Sequence, residues 1–303
     1  MTDDSPAEDD LPRGTTIARF FLVPLLVVVT AVGIFLAFSL LTFEKRTPAD
    51  YLQEVRGGSA NRRWQAAFEL SRSIGTIPAG PERDKLAAES LRIFQSLSGK
   101  RPEDVRVRRY LVLVLGKLGD PSAAPALLTA ARDPDAETRL YAVWALGALH
   151  EPRSLDAVLE ASQSEDGDVR KMAAYVLGQI GEKRAVPRLQ VLAEDRIADV
   201  RWNAAIALAQ LNDGSGLPVL RSMIDREALA RQAALSSEQA ETAMVSALKA
   251  LSLLKDADSL PAIEKVARED PNLRVREAAR RAAEATRAGT SSVLERRALD
   301  LVG

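Results

Sequence analysis

The 303-residue chain is 47% hydrophobic and 27% charged, which is enough apolar material for a folded core and excludes a wholly disordered chain. Its 41 lysines and arginines nearly balance 42 aspartates and glutamates, so it lacks the basic excess of a dedicated nucleic-acid binder. Cysteine is absent and histidine occurs once, which excludes disulfides, cysteine-ligated zinc, iron–sulfur clusters and cysteine nucleophiles.

An acidic segment at the start of the chain is followed by an uncharged apolar run. Residues 2–10 hold five acids and no base, so residues 1–19 are expected to form a disordered, solvated tail. Residues 20–43 carry no charge, and as a helix they extend about 36 Å against a hydrocarbon core of about 30 Å. The run ends in Leu-Leu-Thr-Phe-Glu-Lys-Arg rather than in small residues. It therefore predicts an uncleaved single transmembrane helix and not a signal peptide.

Basic residues beside the apolar run predict its orientation. Two precede it and five follow it closely: Arg13 and Arg19, then Lys45, Arg46, Arg56, Arg62 and Arg63. Because basic residues favour the cytoplasmic side, the C-terminal part is expected in the cytoplasm. An extracytoplasmic location is the alternative, since long domains are translocated despite such charges.

The rest of the chain is built on one regular period. Val107, Thr138, Val169 and Val200 stand 31 positions apart, and leucines at fixed offsets behind them keep the same spacing. Offsets 0, 4, 8 and 11 form one apolar stripe, which predicts a first helix such as residues 169–180. Glycine after that helix and proline soon afterwards predict a turn into a second, antiparallel helix. Since neither helix buries its stripe alone, the pattern predicts an all-α solenoid of six to seven stacked helix pairs, preceded by the transmembrane helix.

The repeat is less regular at both ends of the chain. Residues 44–100 are interpreted as an N-terminal helical cap with an irregular first repeat, and residues 101–289 as the repeats proper. An insertion near residues 227–239 displaces the last full copy. Residues 290–303 are expected to be a C-terminal tail or a short helix.

Three recurring features carry a resemblance to a known repeat type. They are Val-Arg pairs (Val107-Arg108, Val169-Arg170, Val200-Arg201, Val275-Arg276), Leu-Gly pairs (Leu115-Gly116, Leu146-Gly147, Leu177-Gly178) and prolines (Pro125, Pro187, Pro218, Pro261). The units resemble HEAT repeats of the short type seen in phycobilisome-lyase-related proteins, over roughly residues 100–285. The resemblance implies a HEAT/armadillo-like superhelix that mostly serves as a scaffold and only occasionally as an enzyme.

The resemblance also implies polar pairs between repeats. In that family an aspartate six residues before the arginine helps to join adjacent repeats. The implied pairs are Asp133 with Arg139, Asp195 with Arg201, and Asp270 with Arg276. Ser164 departs from the pattern in the unit of Arg170.

No catalytic constellation is found. His150 precedes Glu151, but the iron enzymes that resemble deoxyhypusine hydroxylase need several such pairs. His150 shares its register with Gly119, Gly181 and Asn212, which predicts a turn residue with positive φ. Phosphate-loop and nucleophile-elbow motifs are also lacking. We therefore expect no catalytic residue, metal or cofactor, with a HEAT-like lyase or isomerase, or an enzyme-accessory subunit, as the alternative.

Five residues are candidates for partner binding. Arg153 and Arg184 share one repeat offset and Arg188 lies one turn further, so they predict a cationic strip for an acidic partner, with a merely solvated polar face as the alternative. Tyr141 and Trp202 are less securely buried than the other aromatic residues and are candidate partner anchors, with packing in the core as the alternative.

Two other aromatic residues are assigned to the core, and the charge balance bears on the class of partner. Trp144 and Tyr175 share an offset with Leu113 and Ile206 and are interpreted as core. From residue 44 onward 39 bases face 37 acids, too even for a nucleic-acid binder. The sequence predicts a single-pass, membrane-anchored scaffold or adaptor for protein partners. It does not identify the partner, for which a membrane complex is one candidate.

Overall fold

The computed structural model describes the backbone of residues 21–42, 46–97, 101–149 and 154–300. Side chains are described for residues 21–37, 46–97 except Thr76, 101–149 and 154–289. Throughout these ranges the regular elements are helices. The chain divides into two compact units, Met1–Thr47 and Pro48–Gly303.

The first unit contains helix α1, Val23–Thr42. Its large apolar side chains are mostly exposed, as at Leu25 (58%) and Phe35 (70%). Among the described residues no helix has both the length and the apolarity needed to cross a membrane. The predicted acidic tail, residues 1–19, lies outside the described residues.

The second unit begins with three helices that lead into the regular repeat. They are α2 (Pro48–Gly57), α3 (Ala60–Ser73) and α4 (Pro81–Ser96). Proline stands at the first turn of α4, where the missing N–H costs no hydrogen bond. Helix α3 packs against the first helix of the following repeat, so the irregular N-terminal repeat joins the same stack.

The repeats alternate a long first helix with a short second helix, as the sequence period predicts. First helices are α5 (Pro102–Leu118), α7 (Ala136–Ala148), α9 (Gly167–Ile180) and α11 (Ala198–Gln210). Second helices are α6 (Ala124–Ala130), α8 (Ser154–Ala161), α10 (Val186–Leu192) and α12 (Leu217–Met223). Short 3₁₀ turns, such as Pro121–Ala123, lead into α6, α10 and α12.

First helices end in a left-handed residue at the predicted position. φ is +70° at Gly119, +76° at Gly181 and +58° at Asn212, and a helix further along ends the same way with φ +52° at Lys255. Glycine and asparagine tolerate this conformation best, which explains their recurrence at this offset. His150, the fourth member of the periodic series, lies outside the described residues, so its assignment to the turn stays a prediction.

Successive first helices stack directly on one another. Helices α5, α7, α9 and α11 pack in this order, and their leucines Leu115, Leu146, Leu177 and Leu208 are fully buried. Glycines one residue later allow the close approach: a Cβ on Gly116 would lie 2.6 Å from Cβ of Ala145, and one on Gly178 would lie 2.8 Å from Cβ of Ala207. The Leu-Gly pairs are therefore packing residues.

Beyond α12 the period is interrupted by an additional helix. The inserted residues form α13 (Arg226–Gln232), which precedes α14 (Ser237–Leu254) and α15 (Leu260–Glu269). A capping box between Ser236 and Gln239 starts α14. The last helix, α16 (Leu273–Asp300), continues without a break through residues predicted to be a tail or a short helix. Its first part packs on α14 and α15 and closes the stack.

Candidate partner-binding surfaces

The predicted cationic strip is largely occupied by contacts within the fold. Arg184 is exposed and its Nη2 donates to Oδ1 of Asp156 at 3.2 Å, an ion pair between exposed side chains. Arg132 and Glu160 likewise form an ion pair between exposed side chains. Arg153 lies outside the described residues. Of the three arginines that the sequence pattern placed together, Arg184 is therefore paired with a carboxylate in the described structure.

Arg188 is a structural residue in the described fold. Its Nε donates to Oγ of Ser162 at 2.7 Å and its Nη2 donates to the carbonyl oxygen of Ser162 at 2.6 Å. Ser162 is fully buried. Burial and then the positive charge of Arg170 lower the pKa of the Arg188 guanidinium. This side chain reaches back to the preceding repeat, so it is not a freely exposed member of the predicted strip.

Two of the aromatic residues, Trp202 and Tyr175, differ in burial from what their place in the repeat suggested. Trp202 is only 5% exposed, whereas Tyr175 is 46% exposed. Tyr141 and Trp144 are half-buried against the core. Burial, and then the charge of Glu137, raise the pKa of Tyr141. The structure therefore places Trp202 in the core, the alternative to a surface anchor, and the interpretation of Tyr175 as core is wrong.

The inserted helix α13 explains the burial of Trp202. Its indole Nε1 donates to Oε1 of Gln232, the last residue of α13, at 3.4 Å. Arg201 donates to the same oxygen from Nη2 at 3.2 Å. In two of the preceding units, which have no insertion, this offset carries the half-buried polar residues Arg109 and Lys171. In the sequence, the insertion that breaks the repeat period was the signal that the surroundings of Trp202 differ from those of its sister residues.

A groove of about 380 Å³ lies where α11 faces α14, a feature that sequence reasoning missed. Trp202, Ile206, Met223 and Leu235 line it with apolar atoms, and Asp199 and Glu238 add carboxylates. Its volume falls in the range of ordinary binding pockets. Ile206 shares its repeat offset with Tyr175 on the adjacent helix α9, so the exposed tyrosine extends the same face of the stack.

Ion pairs join consecutive repeats, but with a pairing that differs from the one the family resemblance implied. Asp133 accepts from Nη2 of Arg108 at 2.7 Å, Asp195 from Nε of Arg170 at 2.7 Å, and Asp270 from Nε of Arg226 at 2.7 Å. Arg108 and Arg170 belong to the preceding unit, and Arg226 belongs to the inserted helix α13.

The arginine six residues after each of these aspartates binds backbone instead. Nη1 of Arg139, Arg201 and Arg276 donates to the carbonyl oxygens of Asp133, Asp195 and Asp270 at 2.7–2.9 Å. The three residue pairs that the resemblance implied are therefore in contact, but through the backbone oxygen of each aspartate and not through its carboxylate. Stacking brings each aspartate to an arginine of the preceding unit or of the inserted helix α13, which the spacing within one unit does not reveal.

Hydrogen bonds lower the pKa of two of these aspartates, Asp195 and Asp270. The bond from Arg170 lowers the pKa of Asp195 and outweighs the opposing effect of burial. Burial alone would raise the pKa of Asp270, but the bonds from Arg226 and the amide of Asn272 hold it below its ordinary value. Both carboxylates are therefore ionised at neutral pH. Over the described residues, no group of three or more histidine, aspartate or glutamate side chains is arranged to hold a metal ion.

Comparison with known proteins agrees with the observed repeat. Residues 97–170 and 155–239 match the family described as HEAT repeats. No curated protein matches the sequence. The complex of CpcE and CpcF of phycocyanin lyase from Nostoc sp. PCC7120 is similar in structure, with a TM-score of 0.52 at 17% identity, covering 81% of this chain and 96% of that one.

A second solved structure gives the same result. The Escherichia coli protein YibA has a TM-score of 0.52 at 17% identity, over 78% of this chain and 82% of the other. At this level of identity the similarity concerns the fold alone. Residues 97–239 therefore carry HEAT repeats, and the second unit is an all-helical HEAT/armadillo-like solenoid.

Proposed function

We propose that the chain is a non-enzymatic scaffold that binds protein partners along its solenoid and is held at a membrane by residues 20–43. The groove between α11 and α14 carries the proposal. Its apolar lining by Trp202, Ile206 and Leu235 and the nearby carboxylates Asp199 and Glu238 resemble the apolar core and polar rim of protein interfaces. Tyr175 adds a half-exposed aromatic side chain of the kind that anchors partners.

A solved structure offers a precedent for this use of the fold. The structure of the complex of CpcE and CpcF of phycocyanin lyase contains a chain that is similar in fold to this one. Extended solenoids present long surfaces of this kind because their repeats contact only their neighbours.

The membrane part of the proposal depends on the apolar run. Residues 20–43 have no charge, and as a helix of about 36 Å they are long enough to cross a hydrocarbon core of about 30 Å. Side chains are described for only residues 21–37 of this run, and the large apolar ones there are exposed, from 49% at Val32 to 72% at Phe21. The excess of basic residues after the run favours a cytoplasmic solenoid.

Crosslinking in native membranes tests partner binding. The full chain and two variants are crosslinked mildly, captured and compared by mass spectrometry. Tyr175→Glu places a charge on the proposed surface, whereas Val191→Glu changes a residue that is 58% exposed on the second helix α10 and serves as the matched control. We expect a partner that Tyr175→Glu loses at least tenfold and Val191→Glu retains. A set of partners that is the same for all three proteins would contradict the proposed surface.

Fractionation and a C-terminal reporter test the membrane part. The full chain should sediment with membranes and need detergent for extraction. A reporter that works only in the cytoplasm should be active, and one that works only after export should be silent. A full chain that stays in the soluble fraction after ultracentrifugation contradicts the anchor, and the opposite reporter result contradicts the orientation.

A further inference from the structure

In the turns between repeats an aspartate accepts a backbone amide of the turn and also binds an arginine. One of these turns has no aspartate at this position. Oδ1 of Asp133 accepts the amide of Asp135 at 3.0 Å, while Oδ2 binds Arg108. Asp195 likewise accepts the amide of Ile197 at 2.9 Å and binds Arg170. Ser164 occupies the same place in the repeat, midway in sequence between these two aspartates. Its Oγ accepts the amide of Asp166 at 3.2 Å, so it keeps the turn but offers no second oxygen to an arginine.

Arg139 is the arginine that would bind a carboxylate at position 164, by analogy with the neighbouring turns. Arg108 and Arg170 each precede their aspartate by 25 positions. Arg139 precedes Ser164 by the same number. Nη1 of Arg139 donates to the carbonyl oxygens of Asp133 and Pro134 at 2.9 and 3.0 Å, as Nη1 of Arg170 does in its own turn.

The other nitrogens of the two arginines differ. In Arg170, Nε and Nη2 bind both oxygens of Asp195, at 2.7 and 3.0 Å. In Arg139, the same two nitrogens have no acceptor within the described residues, and no described carboxylate forms an ion pair with the guanidinium. The Nε and Nη2 atoms of Arg139, which together can bind both oxygens of a carboxylate, therefore bind none in the described structure.

A second arginine, found in this unit alone, adds positive charge at the same turn. Arg188 corresponds to Ala157 and Val219 in the adjacent units. It binds the hydroxyl and the carbonyl oxygen of Ser162, two residues before Ser164, and forms no ion pair with a described carboxylate. Glu165 is exposed and forms no ion pair with a described residue. The carboxylate of Asp166 accepts the amides of Asp168 and Val169.

We propose that the turn at Ser164 binds a carboxylate from outside the chain, with Arg139 donating to it from Nε and Nη2. Arg139 and Ser164 are both half-exposed, so a ligand reaches them from solvent. The planar guanidinium fork fits a carboxylate with two parallel hydrogen bonds, as Arg170 does with Asp195. Taking the proposed scaffold function as given, the ligand is an aspartate or glutamate side chain of the bound partner.

Thermal unfolding of the purified full chain in a non-ionic detergent tests the site without any partner. The thermal midpoint is measured by circular dichroism in sodium chloride, sodium acetate and sodium phosphate at equal ionic strength and neutral pH. A ligand that binds only the folded chain raises this midpoint. We expect acetate to raise the wild-type midpoint by about 2–4 °C over chloride, a shift typical of a modest gain in a chain of this size.

Two variants at one position distinguish the site from a general salt effect. Ser164→Asp supplies the carboxylate from within the chain, so its midpoint should exceed that of the wild type in chloride and respond to acetate no more than to chloride. Ser164→Asn keeps the turn bond without the charge and should retain the acetate response. Arg139→Lys keeps a positive charge but removes the fork, and should lose the response.

Three results would overturn the proposal. They are an equal acetate response in the wild type and Ser164→Asp, no rise of the Ser164→Asp midpoint in chloride, and a response to phosphate larger than the response to acetate. The last result would assign the site to a phosphate oxyanion. Because no partner takes part, a failure here leaves the crosslinking result for the scaffold intact, and the reverse also holds.

Discussion

Arg170 binds both carboxylate oxygens of Asp195 across the boundary between two repeats, at 2.7 and 3.0 Å. The two side chains are only 9% and 11% exposed. Nη1 of Arg170 also donates to the carbonyl oxygens of Ser164 and Glu165, so one guanidinium joins two successive turns. Since each repeat contacts only its neighbours, a bond of this kind acts directly on the stacking of the solenoid.

Asp195→Asn should therefore lower the free energy of unfolding by about 2–4 kcal/mol, because removing one partner leaves a poorly solvated charge on Arg170. The asparagine can still accept the amide of Ile197, so the turn itself is preserved. Asp156→Asn is the matched control, since its bond with Arg184 joins side chains that are 79% and 70% exposed, and it should cost close to nothing. Urea unfolding followed by circular dichroism measures both. Equal losses in the two variants would contradict the structural role of the buried pair.

The same aspartate predicts a dependence on pH. The hydrogen bond from Arg170 outweighs burial and lowers the pKa of Asp195 in the folded state below that of the unfolded chain, which is about 3.9. Its contribution to stability is complete above the unfolded pKa and is lost as pH falls through the folded pKa. The difference in stability between the wild type and Asp195→Asn should thus be constant from about pH 5 to 7 and shrink below about pH 4. A difference that grows toward acid pH would contradict this sign.

The Leu-Gly pairs give a prediction about packing. Alanine in a helix interior is normally more favourable than glycine by about 1 kcal/mol. At Gly178, however, an added Cβ would lie 2.8 Å from Cβ and 3.0 Å from Cα of Ala207, and would also meet Oε1 of Gln210. Gly178→Ala should therefore destabilise the chain, by about 1–3 kcal/mol in urea unfolding. Adding Ala207→Gly should recover part of the loss, and a stabilised single variant would show that α9 and α11 are not so closely packed.

Much of the fold could be predicted from residues that recur every 31 positions. Leu115, Leu146, Leu177 and Leu208 are buried as the apolar stripe requires, and Gly119 and Gly181 have the positive φ that ends their helices. These features depend on local helix geometry, which the sequence period expresses directly.

The candidate site was predicted less well, because it depends on contacts between units. Trp202 is covered by the inserted helix α13, and Arg188 reaches the preceding turn. Arg108 rather than Arg139 binds the carboxylate of Asp133. Each of these contacts depends on how far one repeat is displaced relative to the next, and the spacing within a single repeat carries no information about that displacement.

His150 tests the turn prediction at a position that the structure leaves undescribed. Its sister residues Gly119, Gly181 and Asn212 all have positive φ. If His150 shares that conformation, His150→Gly should raise the free energy of unfolding by a few tenths of a kcal/mol to about 1 kcal/mol, and His150→Val should lower it, because β-branched residues disfavour this region. His150→Asn should leave stability and partner capture nearly unchanged. Loss of a crosslinked partner without loss of helicity would instead assign the histidine a binding role.

The last prediction separates Arg188 from Arg184, which the sequence had placed in one cationic strip. Arg188→Met keeps an apolar stem but removes the two donors to Ser162, whose side chain and carbonyl oxygen lie in a fully buried residue. Leaving such acceptors unpaired costs about 1–3 kcal/mol, so this variant should unfold at clearly lower urea concentration. Arg184→Met removes only an exposed ion pair and should unfold as the wild type does. If a partner uses the exposed cation, Arg184→Glu should weaken its capture while the fold persists, and added salt should weaken capture by the wild type. Equal destabilisation by the two methionine variants would contradict the structural assignment of Arg188.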